Sequence, residues 1–138
     1  MKPNYFVYTG NAYPHKNLER LIKAMVLLNK NRSKKIFLKI SSSRNVFTER
    51  LETLIAKYNA QKYIKLLGYV PDDKIGSLYR NSIAFVFPTL DEGFGLPPKE
   101  AINAGTLAVV SDIRVLREVY RDSVVYFNPF VADGYGSI

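Results

Sequence analysis

Apolar residues recur along this chain in two alternating rhythms. Six short runs are apolar at most positions: YFVYTG (5–10), KIFLKI (35–40), YIKLLG (63–68), IAFVFP (83–88), LAVV (107–110) and VVYF (124–127). Such runs read as strands buried on both faces, as in a parallel sheet. Between them the spacing turns helical, with Leu18, Leu21, Ile22, Met25 and Leu28 on one stripe and Phe47, Leu51, Leu54, Ile55 and Tyr58 on another. Asn17 is placed to cap the first helix and Thr48 to open the second. PDDKIGSLYRN predicts a short third helix, with Pro71 early and Asp72 and Asp73 in the first turn, where acidic groups suit the helix dipole. PPKEAINAG predicts a fourth helix stopped by Gly105, and SDIRVLREV a fifth opened by Ser111 or Asp112. Strict alternation of strand and helix implies an α/β domain with right-handed crossovers. Six strands are too few to close a parallel barrel. The expected fold is therefore a doubly wound, Rossmann-like open parallel sheet of about six strands, with no internal repeat or linker.

At 138 residues the chain is one domain by length. No apolar run approaches the roughly 20 residues that cross a bilayer, and MKPNYFVYTG lacks the pattern of a signal peptide. The expected location is cytoplasmic. Cysteine is absent and His15 is the only histidine, which removes thiol chemistry and multi-histidine metal sites. Twenty Lys and Arg face twelve Asp and Glu, for a net charge of +8. That balance favours an anionic partner, whether nucleic acid, a membrane face or a phosphorylated ligand. The bases are scattered apart from KNRSKK (30–35), so no nucleic-acid partner is expected.

Ligands of open α/β sheets bind at the carboxyl ends of strands, where loops feed helix N-termini. Two such loops are unusual. TGNAYPHKN follows the first strand, and DEGFGLPPKEA, residues 91–101, follows the fourth. In a doubly wound order these strands flank the switch point, so both loops would face one crevice. The second loop holds Glu92 and Glu100 with seven residues between them, a Gly-Phe-Gly turn and a Pro pair suited to a helix start. Neither loop matches G-x-x-x-x-G-K-[ST], and GFGLPP lacks the third glycine of G-x-G-x-x-G. A P-loop kinase and an NAD-binding dehydrogenase are disfavoured accordingly.

EGFGLPPKEA resembles the E-x(7)-E motif of retaining glycosyltransferases of family 4, and GNAYPHKNLERLI resembles their phosphate-binding loop. GYVPDDKIGSLYRNSIAFVFPTLDEGFGLP and SDIRVLREV follow the same pattern, so the likeness runs from Tyr5 to about Pro129. The resemblance implies that residues 1–138 are the donor-binding, C-terminal half of a GT-B enzyme. It implies further that the half is cut short at its last helix and that the N-terminal acceptor domain is absent. The implied reaction transfers a hexosyl group from a nucleoside diphosphate sugar, such as GDP-mannose or a UDP-hexose, to an acceptor hydroxyl in glycan or polysaccharide biosynthesis. Without its other half the chain is expected to be inactive. The implied chemistry needs no cofactor and no metal. Acceptors in this family often sit at membranes, and the positive charge suits peripheral association of the full-length enzyme with the inner face of one.

Carried onto this sequence, the family's roles make Glu92 the acceptor of hydrogen bonds from the donor sugar, with Gly93, Phe94, Gly95 and Leu96 offering main-chain amides to the sugar and diphosphate. Glu100 would hold the ribose hydroxyls. Lys16 would meet the diphosphate and stabilise its developing charge. Lys16 and Glu92 are thus the catalytic candidates. Gly10 and Asn11 belong to the phosphate loop, and Tyr69 and Val70 would lie near the base. Many relatives carry an arginine after the loop glycine where this chain has Asn11, which donates a hydrogen bond but brings no charge. Lys99 and Arg114 could add charge or could be solvated helix residues. His15 is open to a functional role or a place on an exposed loop. Asp72–Asp73 is read as a helix start rather than half of a D-x-D metal site. Ser41 to Ser43 could line the pocket or form a turn. Two other classes stay in view: a non-catalytic nucleotide-sugar-binding module that works beside a partner chain, and a receiver-like α/β domain, for which FVYTG and FVFPT supply no acidic cluster.

Overall fold

The computed structural model describes residues 2–42, 46–91 and 97–130, with the side chains of residues 46 and 47 also left undescribed. Six strands form one sheet: β1 (Tyr5–Thr9), β2 (Phe37–Ser41), β3 (Ile64–Gly68), β4 (Ala84–Phe87), β5 (Ala108–Ser111) and β6 (Val125–Phe127). Five helices separate them: α1 (Leu18–Asn29), α2 (Val46–Lys57), α3 (Asp72–Arg80), α4 (Pro97–Asn103) and α5 (Arg114–Tyr120), with a 3-10 turn at Pro14–Lys16 before α1. The order across the sheet is β3-β2-β1-β4-β5-β6, and every pairing is parallel. This is the expected doubly wound, Rossmann-like fold.

The chain steps outward from β1 to β3, returns to β4, then steps outward the other way. Right-handed crossovers then put α1 and α2 on one face and α3, α4 and α5 on the other; contacts of α1 with α2, and of α3 with α4, agree. Burial follows the same geometry. The inner strands β4 and β5 are buried at every residue, because helices cover both faces. At the edges, β3 alternates in exposure and carries Lys65, and β6 is buried only at Phe127.

An aromatic series crosses the middle of the core on the way to the strand ends. Tyr8 of β1 stacks with Phe87 of β4 at 6.5 Å between ring centroids, and Phe87 with Phe85 at 6.2 Å. Tyr79 of α3 meets Phe85 edge-on at 5.4 Å. All four are fully buried. Burying each such ring stabilises by about 1.5–3 kcal/mol.

Some helix starts differ from expectation. Asn17 sits at the N-cap of α1 with φ of 67°, but its side chain makes no cap hydrogen bond. It donates instead to the carbonyls of Pro88 and Pro129, at 3.1 and 2.7 Å. Helix α2 begins at Val46, two residues before Thr48, whereas α3 starts as expected, after Pro71 with Asp72 and Asp73 in its first turn. Helix α5 is preceded by Ile113, also uncapped, while Ser111 ends β5 and donates to the Phe87 carbonyl at 3.2 Å. Asn17 and Ser111 found tertiary partners and the start of α2 moved by two residues, and there local capping preference lost. Gly105 does follow α4, with φ of 86°, a conformation that suits glycine as a helix stop.

Candidate functional site

The switch point lies between β1 and β4, where the chain leaves the sheet toward opposite faces. The loops after these strands are tied together. The His15 carbonyl accepts from the Leu90 amide at 2.8 Å and from the Thr89 hydroxyl at 3.3 Å. Asn17, buried, bridges the end of β4 and the turn after β6 through its two hydrogen bonds. The crevice expected from the sequence therefore exists, and its walls are fastened by main-chain and amide contacts.

A cavity of about 280 Å³ opens there. Thr9, Gly10 and Asn11 come to it from the end of β1, Ser41 and Ser42 from β2, Tyr69 and Val70 from the loop after β3, Asp72, Ile75 and Tyr79 from α3, and Glu100 from α4. Of the expected site residues, Gly10, Asn11, Tyr69, Val70 and Glu100 thus share one cavity, and Ser41 and Ser42 line it rather than merely turning the chain. Glu92, Gly93, Phe94, Gly95 and Leu96, with Ser43, lie outside the described residues.

Gly10 has a steric reason to be glycine. Its φ is 146°, and a Cβ there would stand 2.9 Å from the Tyr8 hydroxyl. That hydroxyl donates to the Asn11 carbonyl at 2.7 Å, which fixes the turn from below. The Asn11 side chain is occupied within the loop, its Oδ1 accepting from the Tyr13 amide at 3.2 Å. Its Nδ2 is the group that remains to donate to an anion.

Lys16 closes the 3-10 turn and is 7% exposed. Its ammonium lies 5.5 Å from the Phe87 ring centroid. It does not line the cavity but sits beside it, against the end of β4. A cation held over an aromatic face gains electrostatic attraction that partly offsets burial. His15 is exposed in the same turn, its ring 6.1 Å from that of Tyr13. Arg114 points from α5 into solvent, its side chain 91% exposed and paired with Glu118 at 3.0 Å. Lys99 is exposed, and its amide donates to the Tyr120 hydroxyl at 3.1 Å, so this helix-start N–H is already engaged. Asp72 and Asp73 occupy the first turn of α3, and among the described residues no group of three metal-binding side chains converges.

Ile75 and Tyr79 line the cavity without having been site candidates in the sequence, and Thr9 entered the site reading only as the first residue of TGNAYPHKN. Thr9 Oγ1 and Tyr79 Oη are buried with no hydrogen-bond partner. Burial pushes the Tyr79 phenol above its ordinary pKa; the nearby Thr9 hydroxyl pulls it down and the Glu100 charge adds to the rise. The available signal was spacing: Ile75 and Tyr79 stand one turn apart on α3 and so share the face that lines the cavity.

The sequence model of the family Glycosyl transferases group 1 matches residues 1–135. The chain is 34% identical over 128 residues to the O-antigen chain mannosyltransferase RfbU of Salmonella typhimurium, covering 93% of this chain and 35% of that protein. It spans about a third of the length of that relative. Among solved structures, sucrose-phosphate synthase from Thermosynechococcus elongatus superposes with a TM-score of 0.83 at 22% identity, over 99% of this chain and 35% of that one. The pneumococcal O-GlcNAc transferase GtfA, solved in complex with UDP and GlcNAc, gives a TM-score of 0.70 at 25% identity, over 82% of this chain and 21% of that one. With the fold, the motif order and the family match in agreement, this chain belongs to the group 1 glycosyltransferases.

Proposed function

We propose that this chain is the donor-binding domain of a retaining hexosyltransferase that builds a polysaccharide from a nucleoside diphosphate sugar, with GDP-mannose as the first candidate donor. The observation that carries the reading is the switch-point cavity, where the glycine turn after β1, the loop after β3 and Glu100 meet in a family member. The kinship to an O-antigen mannosyltransferase supports mannose, and the relative solved with UDP supports a nucleotide in this half.

In this reading the base lies against Tyr69 and Val70, Glu100 accepts from the ribose hydroxyls, and the diphosphate rests near Gly10 and Asn11 with Lys16 as its counter-charge. Glu92 to Leu96 hold the sugar. The bond from the anomeric carbon to the phosphate oxygen breaks, the bond to the acceptor oxygen forms on the same face, and the departing diphosphate takes the acceptor proton. Charge developing on that diphosphate is what Lys16 stabilises, an effect commonly worth about 3 kcal/mol of barrier. No metal is required. Transfer also requires the acceptor within roughly 3–3.5 Å of the reacting carbon, a task this reading assigns to residues outside the donor cavity. The full-length enzyme would work in the cytoplasm at a membrane face.

Thermal-shift titration tests the donor. GDP-mannose should raise the melting temperature more than UDP-glucose, UDP-galactose or UDP-GlcNAc at equal concentration. A larger rise with a UDP sugar would replace mannose in the assignment, and no rise with any of the four would overturn the site.

A further inference from the structure

Among the described residues, three buried side-chain polar atoms lack a hydrogen-bond partner, and two of them, Thr9 Oγ1 and Tyr79 Oη, belong to the same cavity. The third, Thr106 Oγ1, precedes β5 at the other end of the sheet. A buried hydroxyl without a partner carries a full desolvation cost, so folded proteins seldom keep one unless a ligand or a rearrangement satisfies it. Tyr79 is held rigidly, 1% exposed, its ring edge-on to Phe85. Glu100, by contrast, is an exposed carboxylate on a flexible side chain in the first turn of α4, on the rim of that cavity.

We propose that Tyr79 is a positioning residue for Glu100: when a nucleotide occupies the cavity, the Glu100 carboxylate turns inward and accepts a hydrogen bond from Tyr79 Oη, which itself accepts from Thr9 Oγ1. The donor and acceptor counts close. Thr9 gives one proton, Tyr79 takes one and gives one, and the carboxylate only accepts. An ionised carboxylate has about four lone-pair positions, so one bond from Tyr79 leaves room for both hydroxyls of a ribose diol. A hydroxyl below the carboxylate fixes its plane as the ligand binds, and the hydrogen bond gained offsets part of the cost of ordering the Glu100 side chain. The ring of Tyr79, buried on β4, ties that plane to the sheet rather than to the mobile end of a side chain. Phosphate is a poor alternative occupant of this corner, since Asp72 and Glu100 both line the cavity and would repel it. The inference rests on the nucleotide reading of the cavity and adds to it a residue that reads in sequence as part of an apolar helix stripe.

The test compares GDP and its 2′,3′-dideoxy counterpart by calorimetry, in the wild-type chain and in Tyr79→Phe, Glu100→Ala and the double variant. Tyr79→Phe removes one oxygen and keeps the ring. The melting temperature without ligand should stay level or rise, because an unpaired buried hydroxyl is lost. GDP binding should weaken roughly tenfold, the scale of one charge-assisted hydrogen bond. Dideoxy-GDP binding should not change, and the loss should vanish in the Glu100→Ala background. Thr9→Val should give a smaller loss of the same pattern. If Tyr79→Phe binds GDP as the wild type does while Glu100→Ala is weakened, the positioning role falls and the nucleotide site stands. A loss that persists without Glu100 or with dideoxy-GDP also overturns it, as does a ligand-free chain destabilised by Tyr79→Phe. Should the wild type bind neither GDP nor UDP, the site reading falls and takes this inference with it.

Discussion

The loop after β1 separates two cavities of nearly equal size, about 280 and 300 Å³, and they differ in almost every chemical respect. One lies at the strand ends and is lined by Thr9, Tyr79, Asp72 and Glu100. The other lies between α1 and α2 against Tyr13 and Pro14 and is lined by Arg20, Lys23 and Arg50, with Glu19 among them. On charge alone, the second would be the natural seat of an anionic ligand. Its cations, however, sit on helix faces. Lys23 lies 5.7 Å from the Tyr58 ring centroid, and the Tyr58 hydroxyl donates to Glu19 at 2.8 Å, so part of its polar surface is already satisfied. The first cavity has buried hydroxyls left over and a glycine that tolerates no side chain. Unmet hydrogen-bonding capacity at a switch point identifies a site better than positive charge does. Arg20, Lys23 and Arg50 are surface cations of α1 and α2, while the lining of the first cavity consists of uncharged groups with Asp72 and Glu100.

The sharpest way to break this contrast is to loosen the wall of the first cavity without touching its lining chemistry. Asn17→Ala would leave the Pro88 and Pro129 carbonyls without their buried donor and force alanine into a left-handed conformation. Chemical denaturation should show a loss of about 2–4 kcal/mol, from two unsatisfied carbonyls. Asn17→Gly keeps the conformation and loses only the bonds, so it should fall between the two. A loss under about 0.5 kcal/mol for Asn17→Ala, the range of ordinary surface changes, would mean the two loops are not fastened through this side chain.

A second comparison sets one cation of each cavity against the other. If the diphosphate lies near Gly10 and Asn11, Lys16→Ala should weaken GDP binding by about 1.5–3 kcal/mol, the range for a hydrogen bond to a charged group. Arg50→Ala should change it by less than about 0.5 kcal/mol. EDTA should leave the wild-type affinity unchanged. An effect of Arg50→Ala equal to that of Lys16→Ala would move the anion to the α1–α2 cavity, and dependence on magnesium or manganese would end the metal-free account.

The fold was legible because its signal is periodic. Runs such as AFVF and AVVS are buried on both sides and could hardly be anything but inner parallel strands. Order in the chain, with right-handed crossovers, then placed β1 beside β4. Of the candidate residues named from the sequence, Gly10, Asn11, Tyr69, Val70 and Glu100 line one cavity, as backbone geometry and family pattern led one to expect. The starts of α1 and α5 were not legible, because Asn17 and Ser111 had better partners across the fold than in their own helices. Nor was the meeting of Thr9 and Tyr79 in one cavity legible. A tyrosine at helical spacing with isoleucine looks like core, and its ring is core. Only the tertiary fold brings its buried hydroxyl to the cavity that Thr9 and Glu100 also line. Glu92, the first carboxylate of the E-x(7)-E motif, lies outside the described residues, and its role rests on the family pattern.

The smallest expected effect serves as a control on both cavities. Asp112, between β5 and α5, accepts from the Arg117 guanidinium, and that hydrogen bond holds its carboxyl below the usual carboxylate range; burial opposes the shift and the Arg117 charge adds to it. A carboxyl whose pKa is lowered on folding contributes stability above its unfolded pKa, and that contribution is lost as pH falls through the folded value. The unfolded value is about 3.9. The two side chains are 56% and 45% exposed, so solvent screens most of their attraction. Asp112→Asn should therefore lower the melting temperature slightly and by a constant amount above about pH 5, and the difference should shrink through the range below about pH 4. Added salt should reduce it as well. GDP affinity should not move, since neither residue lines either of the two cavities. A difference that survives undiminished at the lowest pH would show that the pair matters through packing of Arg117 on the Tyr126 ring, 4.2 Å from its centroid, and not through charge.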